Sequence, residues 1–161
     1  MKVHKLEKII ITIGGATLLL FLLVLAFQSM HADHSHHSSA ASSSINPKKV
    51  DQTKPFNKPG LYKVSGEKWD YELIMVASAF QYNPSSIEIP VGSKVKIIAT
   101  SKDVIHGFEV VGTNINLMLE PGLISEYVAT FTKKGEFLVL CNEYCGSGHH
   151  FMSGTIQVIE L

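Results

Sequence analysis

Residues Glu136 to Ile159 read EFLVL–CNEYCGSGHHFM–SGTIQVI. Both flanks are short runs rich in β-branched and aromatic residues, the pattern of strands. The segment between them, Cys141 to Met152, holds the only two cysteines of a 161-residue chain, with His149 and Met152 beside them. Two thiols, an imidazole and a thioether are soft or borderline ligands. Carboxylates and carbonyls suit Mg and Ca, whereas thiolate with thioether points to copper, and imidazole is compatible with it. Gly146 and Gly148 let the backbone turn tightly around an ion. The stretch therefore reads as a metal-binding loop joining two strands at one end of a β-structure.

Other readings stand beside this one. Two cysteines at i and i+4 could close a disulfide in an exported protein. A zinc site would use Cys-x2-4-Cys with a second ligand pair downstream, and the chain has none. Met152 alone is a common core gap-filler, and His149 alone a common surface residue. Taken as a set, Cys-x3-Cys-x3-His-x2-Met favours a metal.

Working outward, strand patterns recur from position 72. They cover Leu73–Ala77, Ile87–Ile89 followed by Pro90, Lys94–Thr100, Phe108–Val111, Glu126–Phe131, Glu136–Leu140 and Thr155–Ile159. Lys133-Lys134-Gly135 reads as a hairpin turn between the fifth and sixth of these. No window from 72 onward has a long apolar face at helical period, so the segment reads as a β-sandwich. His106, between two expected strands, could supply a second imidazole from a loop at the same end. Pro47, Pro55, Pro59 and Gly60 suggest an irregular lead-in that wraps the domain.

Ile9 to Phe27 is an uncharged run of 19 residues. As a helix it spans about 28 Å, close to the hydrocarbon thickness of a bilayer. It is longer than the apolar core of a cleaved signal peptide and lacks a clean small-residue cleavage site. It therefore reads as a retained, single-pass anchor. Lys2, Lys5 and Lys8 precede it and no lysine follows before Lys48, which orients the N-terminus to the cytoplasm and the rest to the exterior of the cell membrane. The expected organisation is a cytoplasmic N-terminus at 1–8, an anchor at 9–30, a His/Ser-rich linker at 31–50 and an exterior domain at 51–161. The linker reads as a flexible tether, in which His31, His34, His36 and His37 are only a compositional hint of metal.

All fourteen basic residues are lysine, balanced by fourteen acids. No basic stripe points to nucleic acid, and no arginine is available for bidentate phosphate recognition. Nucleotide-binding glycine motifs and a Cys-x-x-Cys-His haem motif are absent.

Cys141-Asn142-Glu143-Tyr144-Cys145-Gly146-x-Gly148-His149-x-x-Met152 resembles the binuclear copper (CuA) motif of cytochrome c oxidase subunit II. Val104-Ile105-His106-Gly107-Phe108 resembles that family's upstream histidine segment. The resemblance covers roughly residues 72–161. With one anchor and the segment Gly112-Thr113-Asn114-Ile115-Asn116, the chain looks most like the B-type branch of haem-copper oxidases. It implies an all-β, cupredoxin-like Greek-key β-sandwich with one N-terminal transmembrane helix. It further implies two copper ions bridged by Cys141 and Cys145, with His106 and His149 as terminal ligands. Met152 and the carbonyl of Glu143 would be weak axial ligands, and the Glu143 side chain matches a position that helps hold magnesium in A-type enzymes. The implied role is electron entry: the chain accepts electrons from cytochrome c and passes them to the haem-copper catalytic subunit I, which reduces dioxygen to water. The chain alone would perform electron transfer only, with no catalytic residue of its own. The rival within the same fold class is a membrane-anchored mononuclear blue-copper carrier. Phe80 and Tyr82 are candidate docking aromatics, with burial in the core the favoured alternative for both.

Overall fold

A computed structural model describes residues 4–31 and 40–160. It divides into two compact units, Met1–His37 and Ser38–Leu161. In the first, helix α1 covers Lys5–His31, and within it Lys5–Gln28, 24 residues, is long and apolar enough to cross a membrane. At 1.5 Å per residue that segment measures about 36 Å. Its leucines, isoleucines and phenylalanines are exposed all round, from Leu6 to Phe27.

The second unit is a sandwich of two sheets. Its strands in chain order are β1 (Ala40–Ser44), β2 (Gly60–Lys63), β3 (Tyr71–Ser78), β4 (Gln81–Asn83), β5 (Ser86–Pro90), β6 (Lys94–Ser101), β7 (His106–Val110), β8 (Asn116–Leu119), β9 (Leu123–Thr130), β10 (Gly135–Leu140) and β11 (Ser153–Ile159). One sheet has the order β1-β9-β6-β3-β2, with β4 also pairing β3; the other has the order β5-β11-β10-β7-β8. The β3–β6 and β5–β11 pairs are parallel, and the remaining pairs are antiparallel.

The core follows the period-two alternation of strands. Leu73, Met75 and Ala77 of β3 and Val95, Ile97 and Ala99 of β6 face Ile87, Ile89, Phe108, Val110, Leu117, Leu119, Val139, Ile156 and Val158 of the other sheet. The run Leu73–Ala77 does not alternate because β3 is buried on both faces. Ile74 and Val76, with Ile98, pack outward against Ile45, Val50 and Phe56 of the lead-in. That lead-in includes a short 3-10 turn at Pro47–Gln52, capped by Asn46, whose side chain accepts from Lys48 N. The wrapping segment expected from its prolines is thus a second small core. Pro90 ends β5, an edge strand whose one neighbour is β11, where a missing N–H costs no ladder bond.

Two expectations change. Lys133-Lys134-Gly135 is not a hairpin turn, because β9 lies in one sheet and β10 in the other. The turn crosses between sheets, and Phe131 and Phe137 close the gap edge to face, with ring centroids 6.5 Å apart. The tract read as a tether also contributes a strand: Ala40–Ser44 pairs antiparallel with β9, and Ile45 N donates to Gly122 O at 2.9 Å. Backbone pairing along an open sheet edge needs no apolar side chain, so hydropathy does not reveal it. His34, His36 and His37 lie outside the described residues, as does the side chain of His31.

Candidate metal centre

The segment Cys141–Met152 joins β10 to β11. The ladder between these strands runs to Leu140 opposite Ser153, and Cys141 N donates to Met152 O at 3.4 Å. A 3-10 turn at His149–Phe151 shapes its second half. The loop is therefore closed at its base by a sheet, which is how a rigid scaffold preorganises a site. His106 opens β7, the strand on the other side of β10, with Glu109 opposite Leu140. This register carries His106 to the same end of the sandwich.

Two sulfurs lie at the centre. Cys141 Sγ and Cys145 Sγ are 3.7 Å apart, and both thiols are buried and free. A disulfide needs about 2.05 Å, so the structure holds a dithiol. His106 Nδ1 faces Cys141 Sγ at 3.9 Å, and His149 Nδ1 faces Cys145 Sγ at 3.6 Å. Met152 Sδ lies 3.9 Å from Cys145 Sγ, and the carbonyl oxygen of Glu143 lies 3.1 Å from Cys141 Sγ. The ligand atoms of His106, Cys141 and Cys145 all fall within 4.8 Å of one another. His149 flanks this trio on the Cys145 side, and the Glu143 side chain is half-buried and outside it. Metal bonds of 2.0–2.3 Å in tetrahedral array put neighbouring donors roughly 3.3–3.8 Å apart. These spacings fit such a donor set, and its thiolate, imidazole and thioether chemistry fits copper.

The histidine at 106 is fully buried and held from behind. Its Nε2 lies 2.9 Å from Asp103 Oδ1, so the proton belongs on Nε2 and the Nδ1 lone pair points at the sulfurs. Asp103 in turn accepts from Ala79 N and Val104 N, each at 2.7 Å. Burial works against its charge, but these hydrogen bonds and the His106 ring outweigh it and hold the carboxyl below its ordinary range. The Cys145 thiol moves the other way: burial, then its hydrogen bond to Cys141 and the charge there, push it up. Burial likewise raises the phenol of Tyr82, with Cys141 adding to the effect.

Gly107 is fixed on three sides. Its N–H meets Cys141 Sγ at 3.4 Å, its carbonyl accepts from the Tyr82 hydroxyl, and a Cβ there would fall 1.8 Å from Asn142 Oδ1. Asn142 itself donates to Asn116 Oδ1 at 3.1 Å, tying the ligand loop to β8. All six residues expected as ligands thus lie at one end of the sandwich, Glu143 by its carbonyl. Asp103, Gly107, Asn142 and Tyr82 complete the surroundings. Asp103, three residues before His106, carried a local signal; the contacts of Tyr82 and Asn142 span 25 and 26 positions and carried none.

Of the two candidate docking aromatics, Tyr82 is buried, edge to face with Phe108 at 5.6 Å. Phe80 remains partly exposed. Trp69 precedes β3, at the end remote from the loops, where it donates to Glu72 and lies under Lys96. The ligand-bearing loops instead expose Val104, Ile105, Tyr144 and Phe151, the last two 80% and 76% accessible.

Residues 75–159 match the family model for the periplasmic domain of cytochrome c oxidase subunit II. Cytochrome c oxidase subunit 2 of Thermus thermophilus is 43% identical over 116 residues, covering 72% of this chain and 86% of that one. Among solved structures, a subunit of a heme-copper terminal oxidase dimer superposes with a TM-score of 0.59 at 32% identity, covering 91% of this chain and 97% of that one. The periplasmic domain of subunit II (CoxB) of Bradyrhizobium japonicum shares the fold, with a TM-score of 0.54 at 21% identity over 60% of this chain and 88% of that one.

Proposed function

The chain belongs to the cytochrome c oxidase subunit II family, as a haem-copper oxidase subunit with a CuA-type copper-binding domain, and from that premise we propose that its centre holds two copper ions and is the electron entry of the oxidase. Cys141 and Cys145 would hold both ions, His106 one and His149 the other. The Met152 thioether and the Glu143 carbonyl would be weak outer ligands. The carrying observation is the pairing: two sulfurs 3.7 Å apart, each faced by its own imidazole Nδ1. A mononuclear site needs one thiolate and leaves the second without a role.

Copper held there supplies one-electron redox chemistry. The protein supplies rigidity: β7, β10 and β11 hold the donors, Asp103 fixes the His106 tautomer, and the Gly107 N–H meets the Cys141 sulfur. Donors that move little between oxidation states keep the cost of each transfer low. Electrons would come from cytochrome c at the rim of Val104, Ile105, Tyr144 and Phe151 and pass to the haem-copper subunit I. Lys2, Lys5 and Lys8 orient the anchor with its N-terminus in the cytoplasm and the domain outside. The Gly112–Asn116 segment supports placement in the B-type branch.

Metal analysis with optical and paramagnetic spectra of the purified full chain tests the reading. Two coppers per chain sharing one unpaired electron are expected. One copper with a single intense blue band would replace it with the mononuclear carrier.

A further inference from the structure

The turn between β3 and β4 contains no metal-binding side chain, yet it touches both ligand loops. Ala79 N donates to Asp103 Oδ2 at 2.7 Å, and Asp103 Oδ1 holds His106 Nε2 at 2.9 Å. The Tyr82 hydroxyl donates to the carbonyl of Gly107, whose N–H meets Cys141 Sγ. The ring of Phe80 covers the glycines of the other loop: a Cβ on Gly148 would fall 2.4 Å from Phe80 Cδ2 and 2.5 Å from Cγ, and one on Gly146 would fall 3.1 Å from Cε1. Gly146 follows Cys145, and Gly148 precedes His149.

We propose that Ala79–Tyr82 is a clasp, a positioning segment that sets the separation between the His106 part and the Cys145–His149 part of the ligand set. Ala79 and Tyr82 grip the first part through Asp103 and Gly107, and Phe80 grips the second. The two glycines distinguish this from ordinary packing. Gly146 has φ +125° and needs glycine for its backbone alone. Gly148 has φ −95°, which any residue adopts. What excludes a side chain at 148 is the Phe80 ring, and the atoms in the way lie near the root of that side chain, which cannot swing aside cheaply. Phe80 is 37% exposed, and its ring lies against the loop glycines at 146 and 148.

The inference rests on the copper reading, and a double-mutant cycle on the full chain in detergent separates the two. Gly148→Ala should release copper to a chelator at least about tenfold faster than wild type and shift the visible spectrum, the scale seen when outer-shell partners are lost. Phe80→Ala makes room for the new methyl. The Phe80→Ala/Gly148→Ala protein should therefore release copper within about twofold of Phe80→Ala alone, which is the spread of non-interacting sites. A Gly148→Ala protein indistinguishable from wild type, or a double variant whose rate is the product of the single effects, overturns the clasp. Amide hydrogen exchange in the metal-free protein gives a reading that needs no copper and no alanine at 148. Phe80→Ala should speed exchange across 145–149 while leaving β3 and β6 protected; unchanged exchange also overturns it. Wild type that fails to take up two coppers overturns the copper reading and leaves the exchange comparison to decide the clasp.

Discussion

His106 enters the centre already oriented, because Asp103 accepts a hydrogen bond from its Nε2–H and leaves Nδ1 toward the sulfurs. Asp103→Ala removes that acceptor and also the partner of Ala79 N and Val104 N. Copper affinity should fall about 10–100-fold, read by chelator competition, with a changed reduction potential. Asp103→Asn should recover part of the loss, since its one carbonyl oxygen can still accept from Val104 N and His106 Nε2, though no longer from Ala79 N. The thiols give a pH dependence of definite sign. Burial first, then Cys141, hold Cys145 protonated above the ordinary thiol range, and a thiol binds metal only as thiolate. Copper uptake therefore releases protons, and apparent affinity should rise about tenfold per pH unit for each proton released between about pH 6 and pH 8. A flat profile over that range would show thiolates already formed. For the metal-free fold the sign reverses. A raised thiol pKa contributes stability that is full below the ordinary thiol value and is lost as pH climbs through the raised one. At this scale the cluster of His106, Cys141 and Cys145 was legible because soft donors are rare residue types. Gly107 and Asn142 were not, because their roles are steric and depend on which strands become neighbours.

Among the elements, β3 carries the sharpest test. Its outer face is covered by the lead-in, where Phe56 is 1% exposed against Ile74, Val76 and Ile98. Phe56→Ala should cost about 3–5 kcal/mol, seen as a lower denaturant midpoint. The copper spectrum should stay unchanged, because the lead-in packs on the face of the sheet away from the ligand loops' core cluster. A spectral change would mean that this face and the centre are mechanically coupled. The same strand shows why the sequence was readable in part. Seven runs of apolar or alternating residues became β3, β5, β6, β7, β9, β10 and β11, since burial writes itself into hydropathy. β1 is small and polar, and β2 and β8 with four residues each and β4 with three are too short for an alternation to stand out. The Lys133–Gly135 turn reads as a hairpin for a related reason. A tight turn between two strong strands has the same local pattern whether the strands pair or, as here, part into different sheets and are rejoined by Phe131 and Phe137.

The whole molecule carries fourteen lysines against fourteen acids, and its ligand loops expose the apolar and aromatic side chains of Val104, Ile105, Tyr144 and Phe151. A partner attracted by charge would need a field of one sign, and a balanced chain offers none at a distance. Docking of an electron donor should therefore depend on desolvating the rim of Val104, Ile105, Tyr144 and Phe151. Raising ionic strength from about 0.01 M to 0.15 M shortens the screening length from about 30 Å to 8 Å. Electrostatically steered association slows steeply over that range. Here the second-order rate of copper reduction by cytochrome c should change little, about threefold at most. Tyr144→Ala and Phe151→Ala should each weaken the encounter by roughly fivefold or more, since an aromatic that anchors an interface is worth about 1 kcal/mol or more. Their copper spectra should match wild type, because neither side chain is a ligand. A steep fall in rate with salt would move the docking site to a charged surface elsewhere on the domain. Salt-insensitive rates with no effect of either substitution would leave docking apolar but centred away from these two rings, on the Val104–Ile105 side of the rim.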